Sequence, residues 1–407
     1  MFQDLSVFVI AVVFVAINGL TMLAWAAAQG FKMKPTAFAF LVGAVGNLLT
    51  GSITPISGQS SILTVSHFMK NVNERMTALL LAVIVMVPLG LTGSVTRIAD
   101  FAGPAVVNGM MAGVGLMVAG ISIDMLKQEK RTGTIAFISA LATHVIFLYF
   151  FPSPHRLVYV IAVSVTLATL DFVFLQKDPE TGKRGRRINI AKAAEADGYV
   201  GDMAQNENPK FWTKAYWEDF KIMKPKFSLY AIYFALAFIC LNIGTNIAFG
   251  NITAGMGDTV QNMDHLTVIN SLADIPSLLF GGAPVGAIIS ATAAAPWPVI
   301  AGVVMMLLCA LLLFLGLMTK AVKYIPAQAI AGFLLIIGFF ATFVPNLRNA
   351  LGIGIPPLRA ESIDILVEGA RVPSALTALA VTALTKNPFL GLVAGVAVRY
   401  IGHFFGL

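Results

Sequence analysis

Charge is what this sequence has least of. Asp, Glu, Lys and Arg make up 12% of its 407 residues, roughly half the share of a typical soluble domain, while 57% of positions are apolar. With a mean hydropathy of +0.83, the chain has too few solvating groups to cover its apolar side chains. That excludes a soluble enzyme or a nucleic-acid-binding domain, and the net charge of +7 reads as a topology signal instead of a nucleic-acid patch. Cysteine is nearly absent. Cys240 and Cys309 both stand in apolar runs, so neither a disulfide framework nor a thiolate metal site is expected. His67, His144, His155, His265 and His403 are scattered without ligand spacing, which argues against a metal centre or resident cofactor. No nucleophile, base and orienting group fall into one pattern, so no enzyme is expected.

What is present is one apolar stretch after another. Leu5 to Gln29 is too long for a signal-peptide core and has no basic leader or cleavage pattern, so it reads as a membrane span with Met1 as the mature N-terminus. Spans are expected near 5–29, 35–50, 76–96, 103–125, 132–151, 157–175, 227–252, 298–319, 326–345, 373–386 and 388–405. The shorter or broken segments 51–69, 262–279 and 280–297 bring the total to 14. The fold class is therefore an all-α polytopic membrane protein.

Residues 176–226 form a polar connector with 11 Lys/Arg and 8 Asp/Glu. Its end, "PKFWTKAYWEDFKIMKPKF", mixes Trp212, Tyr216, Trp217 and Phe220 with Lys214, Lys221 and Lys224, the composition of a helix lying at the lipid interface. Lys32, Lys34, Lys70, Arg75, Lys127, Lys130 and Arg131 fall in loops on the connector's side. The positive-inside rule puts that side in the cytoplasm and, by parity, both termini outside. The setting expected is a bacterial inner membrane.

The two halves, 1–175 and 227–407, echo each other. "NGLT" at Asn18 recurs as "NIGT" at Asn242, 224 residues on; "LGL" at Leu89 recurs at Leu315. Gly109 and Gly115 match Gly332 and Gly338, each pair in a span that begins after a proline, Pro104 or Pro326. Pro55 in "GSITPISGQSS" matches Pro284 in "FGGAPVGAIIS". Seven spans per repeat place the halves in opposite orientations, the inverted plan of secondary transporters.

Both prolines interrupt the chain where lipid would leave its backbone unsatisfied. Such an interruption is tolerable only where protein buries it or where it lines a polar cavity. Two extended pieces, Ser52 to Ser57 and Gly281 to Val285, are expected to meet near mid-membrane, to pair with each other, and to lead into half-helices whose N-termini face one site.

These segments resemble those of the xanthine/uracil permease (nucleobase:cation symporter) family and of its relative, the sulfate permease family. The resemblance covers essentially the whole chain. It implies 14 spans in a seven-plus-seven inverted fold, divided into a core (spans 1–4 and 8–11) and a gate (spans 5–7 and 12–14), with short strands in spans 3 and 10. It also suggests a homodimer. The family's substrate segments correspond to "NGLT" with Trp25, Ile56 to Ser61, "LNIGTN" (Leu241 to Asn246) and Gly281 to Thr292.

The two carboxylates usual in nucleobase permeases are replaced by Leu241 and Ala283. The basic residue common in span 10 of sulfate permeases is likewise missing between Gly281 and Thr292. Chain size favours a carrier of a small planar heterocycle, a purine or pyrimidine base. The alternative is an anion carrier of sulfate-permease type, for sulfate or bicarbonate, or a channel of the same fold.

The candidate solute-binding residues are Asn18, Thr21, Trp25, Ser57, Gln59, Ser60, Asn242, Thr245, Asn246, Ala283, Gly286, Ser290 and Thr292. Each has a plainer reading. The asparagines serve equally as helix-to-helix hydrogen bonds, the hydroxyls as bonds to their own helices, and Trp25 as an interface anchor. Asp274, Asp171 and His144 are the ionisable groups nearest the spans and the candidates for coupling to H+ or Na+. Helix-end or packing roles compete for all three.

Overall fold

An apolar chain in lipid has to satisfy its backbone within itself, and helices do most of that work here. The computed structural model describes residues 2–28, 30–58, 72–177, 182, 184–186, 217–317, 324–352 and 368–405. The first half contains α1 (Phe2–Ala28), α2 (Met33–Thr50), strand β1 (Ile56–Gly58), α3 (Val72–Leu91) and α4 (Ser94–Gln128). It continues through α5 (Lys130–Val145, extended by a π-helix over Ile146–Phe150) and α6 (Arg156–Leu170, extended by a π-helix over Asp171–Leu175). The second half contains α7 (Leu229–Met256), α8 (Met263–Leu279), strand β2 (Val285–Ala287) and α9 (Pro298–Phe314). Then come α10 (Ala331–Leu335, running on through a π-helix over Ile336–Phe343 into Val344–Ala350), α11 (Glu368–Thr385) and α12 (Pro388–Phe404). Among the described residues, 6 helices are long and apolar enough to cross a membrane.

Local chemistry sets the helix breaks. In α4, Gly103 adopts φ 79° and ψ 161° just before Pro104, and Arg399 Nη1 of α12 donates to the Ala102 carbonyl at 2.9 Å. Between α11 and α12 the chain turns on Lys386, at φ 55°; the Asn387 side chain then accepts from Phe389 N and Leu390 N, and Pro388 takes the first helical position. Two residues thus suffice for the turn in the "TKNPF" stretch.

The helices sort into two bundles. In one, α2 packs on α9 and α8, α8 packs on α3, α1 on α9 and α7 on α3. In the other, α4 packs on α10, α11 and α12, α5 on α6 and α10, and α11 on α12. The bundles touch where α1 meets α6, where α7 meets α12 and where α7 and α8 meet α4, whose Val95 N and Thr96 N donate to Asp264 of α8. Exchanging α1–α6 for α7–α12 turns most of these relations into another of them or into itself, and turns α4–α12 into the contact of α10 with α6.

Glycine lets the backbones approach this closely. A Cβ on Gly109 of α4 would stand 2.2 Å from Ala375 O of α11, and one on Gly332 of α10 would stand 1.9 Å from Ala136 O of α5. Gly115 and Gly338 face each other where α4 crosses α10, each pressed against the other's carbonyl. Small residues at helix crossings are what lipid-embedded packing requires, since apolar burial gives no preference for protein over lipid there.

The connector's end departs from the expected interfacial helix only in its last residues: Trp217 is helical, a 3-10 turn follows over Glu218–Phe220, and residues 221–227 are non-helical. Pro225 disfavours a helical Lys224, and the non-helical segment docks instead: Met223 N donates to Leu279 O at 2.8 Å, Lys226 N to Thr77 Oγ1 at 2.8 Å, and Lys226 Nζ pairs with Glu74 at 2.9 Å. The rest of that sequence, through Tyr216, lies outside the described residues.

Gly332→Val should lower stability by about 3 kcal/mol, because the clash is with backbone that has no room to move. Gly120→Ala, with nothing within 4 Å of the new Cβ, should be close to neutral. Thermal unfolding of the purified variants in detergent checks the contrast.

Candidate functional site

Proline lacks an N–H, so Pro55 and Pro284 each open a gap in the helical ladder. The structure closes both gaps with one device. β1 and β2 pair antiparallel, Ile56 with Ala287, Ser57 with Gly286 and Gly58 with Val285, and Ile288 N adds a bond to Pro55 O at 3.2 Å. All six strand residues are buried. The extended pieces do pair, as their sequence required.

The carbonyl before each proline receives a side chain from the helix that precedes it. Asn47 Nδ2 of α2 donates to Thr54 O at 2.8 Å, and Ser277 Oγ of α8 donates to Ala283 O at 2.8 Å. Thr36 Oγ1 accepts from Ala283 N at 2.8 Å while donating to Lys32 O at 2.9 Å. Thr253 Oγ1 of α7 donates to Ile288 O at 3.1 Å. These four residues carry no charge and match no motif. Only the positions of Asn47 and Ser277, seven and six residues before the carbonyls they hold, hint at the role.

Around the strands the candidate residues divide. Ser57 is 1% exposed, and among the described residues its Oγ has no hydrogen-bond partner. It presses on α1 at Gly19, where a Cβ would come within 2.4 Å of that oxygen; Asn18, the next residue, is half-buried. Gly286 stands opposite Ser57 in the register. On α7, Asn242 is half-buried, and among the described residues its side chain has no hydrogen-bond partner.

Other candidates are engaged in holding the fold. Thr245 Oγ1 donates to Leu241 O of its own helix at 2.9 Å. Asn246 uses both ends of its amide on α8, donating to Thr267 Oγ1 at 3.0 Å and accepting from Asn270 Nδ2 at 2.8 Å. Ala283 serves through its backbone, while Ser290 and Thr292 bond each other through their hydroxyls at 2.7 Å. Gln59 and Ser60 lie outside the described residues, as do the side chains of Thr21 and Trp25.

The expected half-helix after β2 is absent. It is replaced by a four-residue 3-10 turn, Ala291–Ala294, and α9 begins only at Pro298. Pro296 and Pro298 bias Ala295 and Trp297 away from helix, so the turn has nowhere to grow. The half-helix expected in the first repeat falls within residues 59–71, outside those described.

The three ionisable candidates separate as well. Asp171, at the far end of α6, holds Arg131 of α5 through two hydrogen bonds, 2.6 and 3.0 Å. His144 stacks obliquely on Phe340 of α10. Asp274 alone reaches the strands: it is 4% exposed, and its Oδ1 accepts from Val285 N at 2.7 Å.

No family model and no curated protein matches the chain. Solved structures do. The transmembrane domain of a cyanobacterium bicarbonate transporter, BicA, is similar with a TM-score of 0.50 and 15% identity over 97% of this chain and 98% of that one. SLC26A9 is similar with a TM-score of 0.51 and 11% identity over 100% of this chain and 66% of that one. The chain has the fold of these membrane proteins. No sequence comparison supports the xanthine/uracil permease side of the expected resemblance.

Asn47→Leu and Ser277→Ala should each lower stability by about 1–3 kcal/mol, since each strands a buried carbonyl without a donor. Comparison of their unfolding midpoints with that of the parent protein checks this.

Proposed function

We propose that the chain is a transporter of small anions of the bicarbonate or sulfate class, working by movement of a core bundle (α1–α3 and α7–α9 with the strands) against a gate bundle (α4–α6 and α10–α12). The observation that carries it is the buried β1–β2 crossing with the Ser57 hydroxyl left open beside it. An acceptor-rich solute needs donors that have no other partner, and the Ser57 O–H and the Asn242 amide meet that need without a carboxylate at Leu241 or Ala283 to repel it. The likeness to a bicarbonate transporter supports the same substrate class.

Fourteen crossings follow if each interrupted segment counts as one span, seven per repeat in opposite orientations. What supports the repeat is the exchange symmetry of the helix contacts and the matched glycines at the crossings. The connector lies on the cytoplasmic side, with both termini outside. What supports that placement is the gathering of basic residues at one end of the molecule, where Lys226 pairs with Glu74, Arg186 with Glu129 and Arg131 with Asp171. At one contact between the bundles, His155 Nδ1 meets Ala294 O at 2.5 Å, and such a contact has to break as the core moves.

Uptake into proteoliposomes is the test. Labelled bicarbonate or sulfate should enter, and unlabelled anion should compete where uracil, xanthine and guanine do not. Ser57→Ala and Asn242→Ala should each reduce anion uptake about tenfold, the worth of one hydrogen bond to a charged group. Base uptake, or full anion uptake by both variants, would refute the reading.

A further inference from the structure

A polar stripe runs down one face of α8. Thr267, Asn270, Asp274 and Ser277 follow one another at intervals of three, four and three residues, the spacing that stacks side chains on one helix face. All four are buried. Thr267 and Asn270 meet Asn246 of α7, while Asp274 and Ser277 meet the backbone of Val285 and Ala283. The stripe therefore faces the seam between α7 and the second interruption.

The polarity of this hydrogen-bond chain is set at its N-terminal end. Thr267 Oγ1 donates to Met263 O at 2.8 Å, so it accepts from Asn246, and Asn246 in turn accepts from Asn270. The chain ends in an acceptor: Asn270 Oδ1 is buried and, among the described residues, has no hydrogen-bond partner. One turn further on, the Asp274 carboxylate has the Val285 N–H as its hydrogen-bond donor, and no cation pairs with it among the described residues.

A carboxylate in an apolar interior is unstable unless positive charge or further donors compensate it. Among the described residues, none of the charged groups on neighbouring elements makes an ion pair with Asp274. Glu74 pairs with Lys226, Arg75 lies over the Phe31 ring, and Asp264 accepts from Val95 N and Thr96 N at the start of α4. Lys34 stands in the first turn of α2, Arg97 and Asp100 near the start of α4, and His265 about two and a half turns before Asp274. α7, α9 and β2 carry no charged residue.

We propose that Asn270 and Asp274 form a site for one monovalent cation, a proton or a sodium ion, and that its occupancy reaches the solute crossing through the Val285 N–H. Val285 pairs with Gly58 and precedes Gly286, the partner of Ser57. A bare carboxylate one strand away repels an anion at Ser57, and a bound cation removes that repulsion, so the two ligands favour each other. The coupling role rests on the anion-transport reading; cation binding does not. Asn47, 223 residues before Asn270, also leaves its Oδ1 open, but α2 contains no acid, so the site occurs once per chain.

Thermal unfolding of the purified protein, titrated with sodium chloride against choline chloride at constant ionic strength and then with pH at fixed salt, is the test. A midpoint that climbs with the logarithm of sodium concentration identifies sodium; one that is indifferent to sodium but moves with pH identifies a proton. Asp274→Asn should abolish whichever dependence is seen, and Asn270→Ala, which keeps the acid, should weaken apparent cation affinity about tenfold. If Asp274→Asn does not fold, Asn270→Ala carries the test. A parent protein indifferent to both cations, or an Asn270→Ala variant with unaltered affinity, overturns the proposal. Anion uptake with no cation dependence overturns the coupling role and leaves the transport reading standing; cation binding without anion uptake overturns the transport reading and leaves the site standing.

Discussion

A buried peptide group without a partner costs more than almost anything else a membrane protein does with its backbone, and this chain creates two such liabilities at Pro55 and Pro284. Each is useless alone. Brought together they form a two-stranded sheet, and the remaining carbonyls and amides are taken up by Asn47, Thr36, Ser277 and Thr253 from the flanking helices. The arrangement of the core bundle follows, because α2 and α8 have to lie side by side to supply those side chains.

The gate bundle obeys a different constraint. It contains no strand among its described residues and is held by close helix crossings at Gly109, Gly115, Gly332 and Gly338, where carbonyls of neighbouring helices occupy the space a side chain would need. The two bundles therefore differ in kind. One is organised by hydrogen bonds to broken backbone, the other by shape. They are joined by packing of α1 on α6, of α7 on α12 and of α7 and α8 on α4, and by hydrogen bonds at Asp264 and His155.

At the strand crossing, chemistry is arranged by subtraction. Most polar groups nearby are paired: Thr245 with its own helix, Asn246 with α8, Ser290 with Thr292. Left open there, among the described residues, are the Ser57 hydroxyl, Asn47 Oδ1 and, behind the second strand, Asn270 Oδ1, while Asp274 accepts from the Val285 N–H. On the proposed reading, an open donor at the crossing suits an anion and the acceptors behind the second strand suit a cation.

Reading the residues alone determined most of the framework. The apolar runs, the matched Gly109/Gly332 and Gly115/Gly338, and the paired prolines are short-range or repeated patterns, so the helices, their kinship between halves and the place of the interruptions were visible before any coordinates. Three things were decided only in three dimensions. The half-helix expected after Val285 shrank to one turn, because Pro296 and Pro298 cut it off and Thr253 holds Ile288 extended. The connector's last residues, 221–227, are non-helical and dock on Thr77, Glu74 and Leu279. Asn246 and Asn242, four residues apart on one helix and alike in sequence, parted company because only Asn246 meets Thr267 and Asn270. Whether a polar side chain in an apolar span supports the fold or stays free for a ligand depends on what packs against it, and that partner lies far away along the chain.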